Sequence, residues 1–353
     1  MRKALITGGV VLGVLLLVGA GTGYWIVFKG NTLDYERARS VYIPRGASYG
    51  QALDSLGTDV LDSRRTFDWM ARATGWGDQI KAGHYRIESG ASNKAMLGKL
   101  RRGLQAPVSI TIPPGTRPEV VAAVAGRNMA FTQKEFLSAL RDTAFVSNLG
   151  TDTTHLFGHL RPETYKFYWL NSPKQVIRSI KEQADDHYSR MRAQADSLPV
   201  DLSMKEVLNL ASIVQWETSR NEEKPRIAGV YMNRLQEEMP LQADPTVQYG
   251  ILQKEGQKRR LLYEDYELQH PYNTYNYRGL PPGPITNPSA SSVRAVLNPE
   301  SHDYRYFVAK ANGSGHTFSR TLSEHNRAAD RYRQAMRQRR DSVREADSGN
   351  AGS

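Results

Sequence analysis

Met204–Ser219 reads MKEVLNLASIVQWETS. Val207, Leu210, Ala211, Val214 and Glu217 recur at helical spacing, which predicts a helix that turns an apolar stripe into a core. Glu217 lies on that stripe. A carboxyl there costs free energy unless it is paired, neutralised or at the edge of a cleft. Desolvation raises a carboxyl pKa, as a general acid working near neutral pH requires. The same pattern also suits a buried Glu held by an Arg or a helix-terminal partner.

Two polar-and-turn clusters follow. Leu241–Gly250 reads LQADPTVQYG, and Tyr272–Ile285 contains YNTY and the rigid run GLPPGPI. Amides, hydroxyls and tyrosines of this kind hydrogen-bond to and stack on sugar rings, and a Pro/Gly loop has few conformations to lose on binding. Tyr306-Phe307-Val308-Ala309 reads as a strand, and Asn312–Gly315 turns into His316-Thr317-Phe318-Ser319. That is a hairpin, and a closing helix from Glu324-His325-Asn326 should follow it.

These segments, with Gly158–Tyr165 (GHLRPETY) upstream, resemble the YceG-like family of MltG-type endolytic murein transglycosylases. The matching pieces are ASIVQWET, VYMNRLQEEMPLQADPTVQYG, YNTYNYRGLPPGPI and YFVA…GHTFS…EHN, in the family's order. The family often carries a second acidic residue where this chain has Gln215. The resemblance implies a lyase that cuts the MurNAc–GlcNAc bond of nascent peptidoglycan without water. One carboxyl protonates the departing oxygen, then takes the proton of the muramic acid C6 hydroxyl as that oxygen closes onto C1. Glu217 is the implied acid and base. Gln242, Asp244, Thr246, Asn273, Thr274, Tyr275 and His316 are the candidate substrate contacts, with loop packing the competing role for Gln242, Asn273, Thr274 and Tyr275.

Each assignment has a structural competitor. Asp244 reads as a second carboxylate or as a turn residue binding backbone amides. Glu163 reads as a cleft-lining group or a loop holder, Trp216 as a stacking surface or core, and His316 as a substrate contact or a buried donor to a carbonyl. Two other functions stay open: a non-catalytic wall-binding scaffold, and a water-using muramidase with Asp244 as second carboxylate, since hydrolytic glycosidases need a carboxyl pair.

At 353 residues the chain has room for two modest domains. Ala4–Phe28 contains no charged residue and is long enough to cross a bilayer, with Tyr24 and Trp25 placed for an interfacial belt. Val18-Gly19-Ala20 would pass as a signal-peptidase site, but the apolar run continues to Phe28, which favours a retained single-pass anchor in the inner (plasma) membrane. The family resemblance places the bulk outside the cytoplasm. The chain has no cysteine, which excludes disulfides, thiolate metal sites and a lipidated N-terminal Cys. Its eight histidines are scattered without metal-ligand spacing, so neither metal nor cofactor is expected. The net charge of +11 permits an anionic partner, yet no nucleic-acid-binding motif is recognisable, so the expected partners are peptidoglycan strands, the membrane and, by family analogy, peptidoglycan synthases.

The expected architecture is α+β: an anchor at 1–30, a small LysM-like module at 40–106, a catalytic domain at 107–330 and a basic helical, then disordered, tail at 331–353. Residues 31–39 read as a polar link. In the module, a strand and turn at 41–46 and a strand at 83–87 flank helices at 49–56 and 64–73, and a further helix covers 93–102. By resemblance such a module docks on N-acetylglucosamine-containing glycans; a spacer that lifts the active site off the membrane reads equally well. Beyond it, a strand near 108–112 precedes helices at 118–127, 132–140, 172–195, 204–219 and 225–238.

Overall fold

The computed structural model describes the backbone of residues 2–350 and the side chains of residues 7–341. It is a mixed α+β protein that divides into two compact units. One comprises Met1–Ile110, Ala125–Thr132 and Tyr165–Ser172; the other comprises Thr111–Val124, Gln133–Thr164 and Pro173–Ser353.

The first unit begins with α1 (Arg2–Phe28), whose Thr7–Phe28 stretch has a mean hydropathy of 2.1 and is long and apolar enough to cross a membrane. A signal sequence would meet the same description. Then follow β1 (Arg39–Ile43), α2 (Tyr49–Val60), α3 (Arg64–Thr74), β2 (Gly83–Ile87) and α4 (Asn93–Arg102), in the expected strand–helix–helix–strand order. The two strands are antiparallel, with Val41 opposite Tyr85. Serine caps start all three helices. Ser48, Ser63 and Ser92 each accept a backbone N–H three residues on, which satisfies one of the orphan donors of a first turn.

Residues 31–39 are not the free link their polarity suggests. Gly30 bridges to Ser92, and Thr32 bridges to Leu61. The buried Asn31 amide donates to Asn93 Oδ1 at 2.7 Å, and Asn93 Nδ2 donates to the Ile26 carbonyl at 2.8 Å. Ile26 and Val27, the end of the apolar helix, pack on the module core around Phe67, Leu97 and Leu100.

The chain then runs through β3 (Val108–Thr111), α5 (Pro118–Asn128), α6 (Gln133–Leu140), α7 (Thr143–Ser147), β4 (Thr164–Phe167) and α8 (Pro173–Ala193). The remaining elements are α9 (Met204–Glu217), α10 (Lys224–Gln236), α11 (Asp244–Glu255), α12 (Ala290–Leu297), β5 (Tyr306–Ala309), β6 (His316–Ser319) and α13 (Leu322–Asn350). The tail, expected to turn disordered towards its end, is helical as far as Asn350; residues 351–353 lie outside the described residues.

The second unit is built around α9, which meets α10, α11 and α12. Every residue from Val207 to Val214 is buried, so the apolar stripe is only one side of a helix enclosed all round. Its polar residues on the other sides hold a loop. Asn209 Nδ2 donates to the Pro281 carbonyl at 2.6 Å, and Ser212 Oγ accepts from Ile285 N at 2.9 Å. The Pro/Gly run is thus fastened to the back of the helix that carries Glu217.

Candidate active site

α9 ends on Glu217, and Thr218 is already extended at φ −148° and ψ 142°. The carboxyl therefore leaves the enclosed helix at the point where the chain turns away. It projects into a cleft of about 690 Å³. α10 and α11 contribute one wall, with Tyr231, Arg234 and Asp244; the β5–β6 hairpin and the start of α13 contribute another, with Phe307, His316 and His325.

Burial pushes the Glu217 carboxyl up to about 7, and the charge of Asp244 adds to the effect; a hydrogen bond from Tyr231 and the charge of Arg234 oppose it. Its position at the negative end of α9 acts in the same upward direction. Tyr231 donates its hydroxyl to Glu217 Oε1. That hydroxyl is held far above its ordinary range, chiefly by burial, so it acts as a donor at any physiological pH. Arg234, three residues along the same face, is buried. Its guanidinium donates to the carbonyls of Arg305 at 2.6 Å and Leu241 at 2.7 Å, tying the hairpin and α11 approaches to α10.

Asp244 sits in the first turn of α11, followed by Pro245. Tyr275 donates to Asp244 Oδ1 at 2.6 Å and Tyr266 to Oδ2 at 3.3 Å. Gln242 lines the same cleft with φ at +45°, a left-handed conformation that non-glycine residues adopt at a cost of order 1–3 kcal/mol. His316 faces the cleft from β6. Its Nδ1 lies 2.9 Å from Glu223 Oε2, and its backbone N donates to Glu223 Oε1 at 2.8 Å. Glu223 stays below the usual carboxylate range: burial raises it, but the His316 hydrogen bonds outweigh that.

The structure thus brings Glu217, Gln242, Asp244, Tyr275 and His316 to one cleft. Thr246, Asn273 and Thr274 are buried behind it. Thr246 and Thr274 hydroxyls pair at 2.9 Å, and Thr274 Oγ1 accepts from Ala243 N at 3.0 Å. Asn273 Nδ2 donates to the carbonyls of Tyr266 and Leu268, both at 2.9 Å. These three hold the backbone that presents Gln242, Asp244 and Tyr275. Trp216 donates to the Gly115 carbonyl at 3.1 Å, and Glu163 pairs with Arg161 at 3.1 Å. Gln215 turns from the cleft: its Oε1 accepts from Ser289 N at 3.1 Å and Ser292 Oγ at 2.8 Å, joining α9 to the start of α12.

Tyr231, Arg234, Tyr266 and Phe307 are cleft residues that motif reading alone missed. The available signal was Arg234, a charged residue three positions after Tyr231 on a helix otherwise apolar on that side. Among the described residues no group of three or more His, Cys, Asp or Glu is arranged to hold a metal ion.

A family model described as the YceG-like family matches residues 41–331. The chain is 32% identical to a Bacillus subtilis (strain 168) protein named endolytic murein transglycosylase, over 85% of this chain and 86% of that one. A protein of the same name from Streptococcus pneumoniae serotype 2 (strain D39) is 26% identical, over 92% of this chain and 64% of its own longer length. A crystal structure of a yceG-like protein from Listeria monocytogenes superposes with a TM-score of 0.55 at 29% identity, covering 83% of this chain and 99% of that one.

Proposed function

Because the chain belongs to the YceG-like family, we propose that it is a peptidoglycan lytic transglycosylase acting within nascent glycan strands near the membrane. Glu217, protonated, gives its proton to the oxygen of the MurNAc–GlcNAc bond. The C1–O bond breaks and its electron pair leaves with that oxygen. The Glu217 carboxylate then takes the proton of the C6 hydroxyl, whose oxygen bonds to C1 to give a 1,6-anhydro end. No water enters and the acid is regenerated.

The observation that carries this reading is the placement of Glu217 at the end of a buried helix, in a cleft, with the Tyr231 hydroxyl on its carboxyl. A carboxyl held near pH 7 serves as acid and as base with little cost in either direction, which one residue doing both jobs requires. Gln242, Tyr275 and His316 are proposed to contact the sugars, with Thr246, Asn273 and Thr274 supporting the wall they stand on. α1 is proposed as a single-pass anchor that leaves both units on the outer face of the plasma membrane, with the LysM-like module against the wall and peptidoglycan synthases as neighbours.

Full-length protein in detergent, digesting uncrosslinked glycan strands, tests this by mass spectrometry of the fragments. Anhydro-ended products that disappear in Glu217→Gln are expected. No cleavage by a folded wild-type protein that still binds strands would instead make the chain a scaffold. A second reading rests on Asp244 lining the same cleft: with water activated there, the products would carry reducing ends.

A further inference from the structure

We propose that Asp244 is a second catalytic group: a fixed anion, held by two tyrosine hydroxyls, that stabilises the positive charge developing at C1 and the ring oxygen. The inference rests on the transglycosylase reading above. It gives Asp244 a role distinct from both an acid and a water-activating base.

The geometry separates the two carboxyls. Glu217 accepts one tyrosine hydrogen bond at the end of a helix, where the peptide dipoles oppose negative charge. Asp244 stands in the first turn of the twelve-residue α11, where the dipoles favour it, and accepts from both Tyr275 and Tyr266. Each oxygen has its own donor, so the group is oriented as well as charged. The two hydroxyls occupy lone pairs that a nucleophile or a base would use. The Tyr266 and Tyr275 rings meet edge-on at 4.7 Å and fix one another.

The charge is also uncompensated by a guanidinium. Arg234 is turned to backbone carbonyls, and no ion pair to Asp244 occurs among the described residues. The other titratable groups on the cleft wall are Tyr306 on β5, His316 on β6, and His325, Tyr332 and Arg333 on α13. Burial, with Arg234 and Arg333 nearby, lowers the His325 pKa and so favours its neutral form. Asp244 is exposed on the cleft wall, and with a hydroxyl on each oxygen it presents its charge to a passing cation in a set orientation, so little must reorganise as that charge appears.

The step balances without new reactants. When C1–O breaks, the positive charge spreads over C1 and the ring oxygen. Asp244 forms no bond to C1 and exchanges no proton; the C6 oxygen then neutralises C1 as Glu217 removes its proton. Tyr266 and Tyr275 act on Asp244 as positioning residues.

The test is the pH profile of kcat and the product chemistry of Asp244→Asn, measured on the full chain in detergent. We expect kcat to fall on the order of 10²-fold with anhydro ends retained. The alkaline limb set by Glu217 should move to lower pH, because a like charge has gone. A Tyr266→Phe/Tyr275→Phe variant keeps the carboxylate but frees it, and should lower kcat about tenfold beside any change in KM from the lost Tyr275 contact; it carries the test if Asp244→Asn does not fold. An unchanged limb, or a change confined to KM, overturns the proposal. Reducing ends from the wild type that vanish in Asp244→Asn would overturn it too, by making Asp244 the water-activating base. Failure of the underlying reading looks different: Glu217→Gln would still cleave.

Discussion

Glu217 combines two requirements that conflict. It must be buried enough to hold a proton near neutrality, and it must reach substrate. Ending α9 on that residue meets both. The sign of the pH effect on stability follows from its folded-state value, raised from about 4.5 to about 7. Between those values the native state holds a proton that the unfolded chain has released. Stability is therefore fully present below about 4.5 and declines as pH rises through about 7, by at most roughly 3 kcal/mol. Glu217→Gln removes this dependence. Urea unfolding of the variant should show about 2–3 kcal/mol more stability than the wild type at pH 8 and no gain at pH 4, while activity drops about 10³-fold. Parallel decline of the two proteins with pH would contradict the burial argument. In the wild type, kcat should fall as pH rises through about 7, where Glu217 loses the proton it must donate.

At the scale of elements, the cleft walls are held by contacts that face away from it. The hairpin is latched through Glu223, which accepts from the His316 amide. Gly315, at φ +108°, is where the latch closes: a Cβ there would lie 2.0 Å from Glu223 Oε1. Gly315→Ala should cost about 2 kcal/mol or more and displace His316, so activity is lost ahead of the fold. Protease susceptibility of the 310–316 turn together with kcat/KM would register this; a variant with wild-type values in both would remove the latch. The opposite wall depends on the buried Thr246–Thr274 pair. Thr274→Val leaves the Ala243 N–H without its acceptor, which should cost about 1–3 kcal/mol in urea unfolding. In sequence a hydroxyl in a turn-rich segment reads the same facing sugar or facing backbone, and burial places both of these threonines on the backbone side.

For the whole molecule, the first unit receives part of its core from the apolar helix, since Ile26 and Val27 pack on it and Asn93 bonds the Ile26 carbonyl. A chain beginning at residue 31 should therefore be less stable than one beginning at Tyr24, by about 1–3 kcal/mol in the urea unfolding of that unit; equal stability would show that the helix end adds nothing. Linear pattern was enough for α1, for the strand–helix–helix–strand order, for the β5–β6 hairpin and for Glu217 on its helix, because apolar period, serine caps and turn residues are local signals. α11 and α12 went unread: Asp-Pro-Thr and Ser-Ala-Ser-Ser announce a helix start as readily as a turn, and what selects the helix is its packing against α9. The same holds for the partition of the polar residues. That Asp244 and Tyr275 face Glu217 while Asn273 and Thr274 turn away, and that Tyr231 supplies the hydrogen bond to the acid, depends on how α9, α10 and α11 cross. Such crossings join residues far apart in the chain, and their energies exist only once the core has closed.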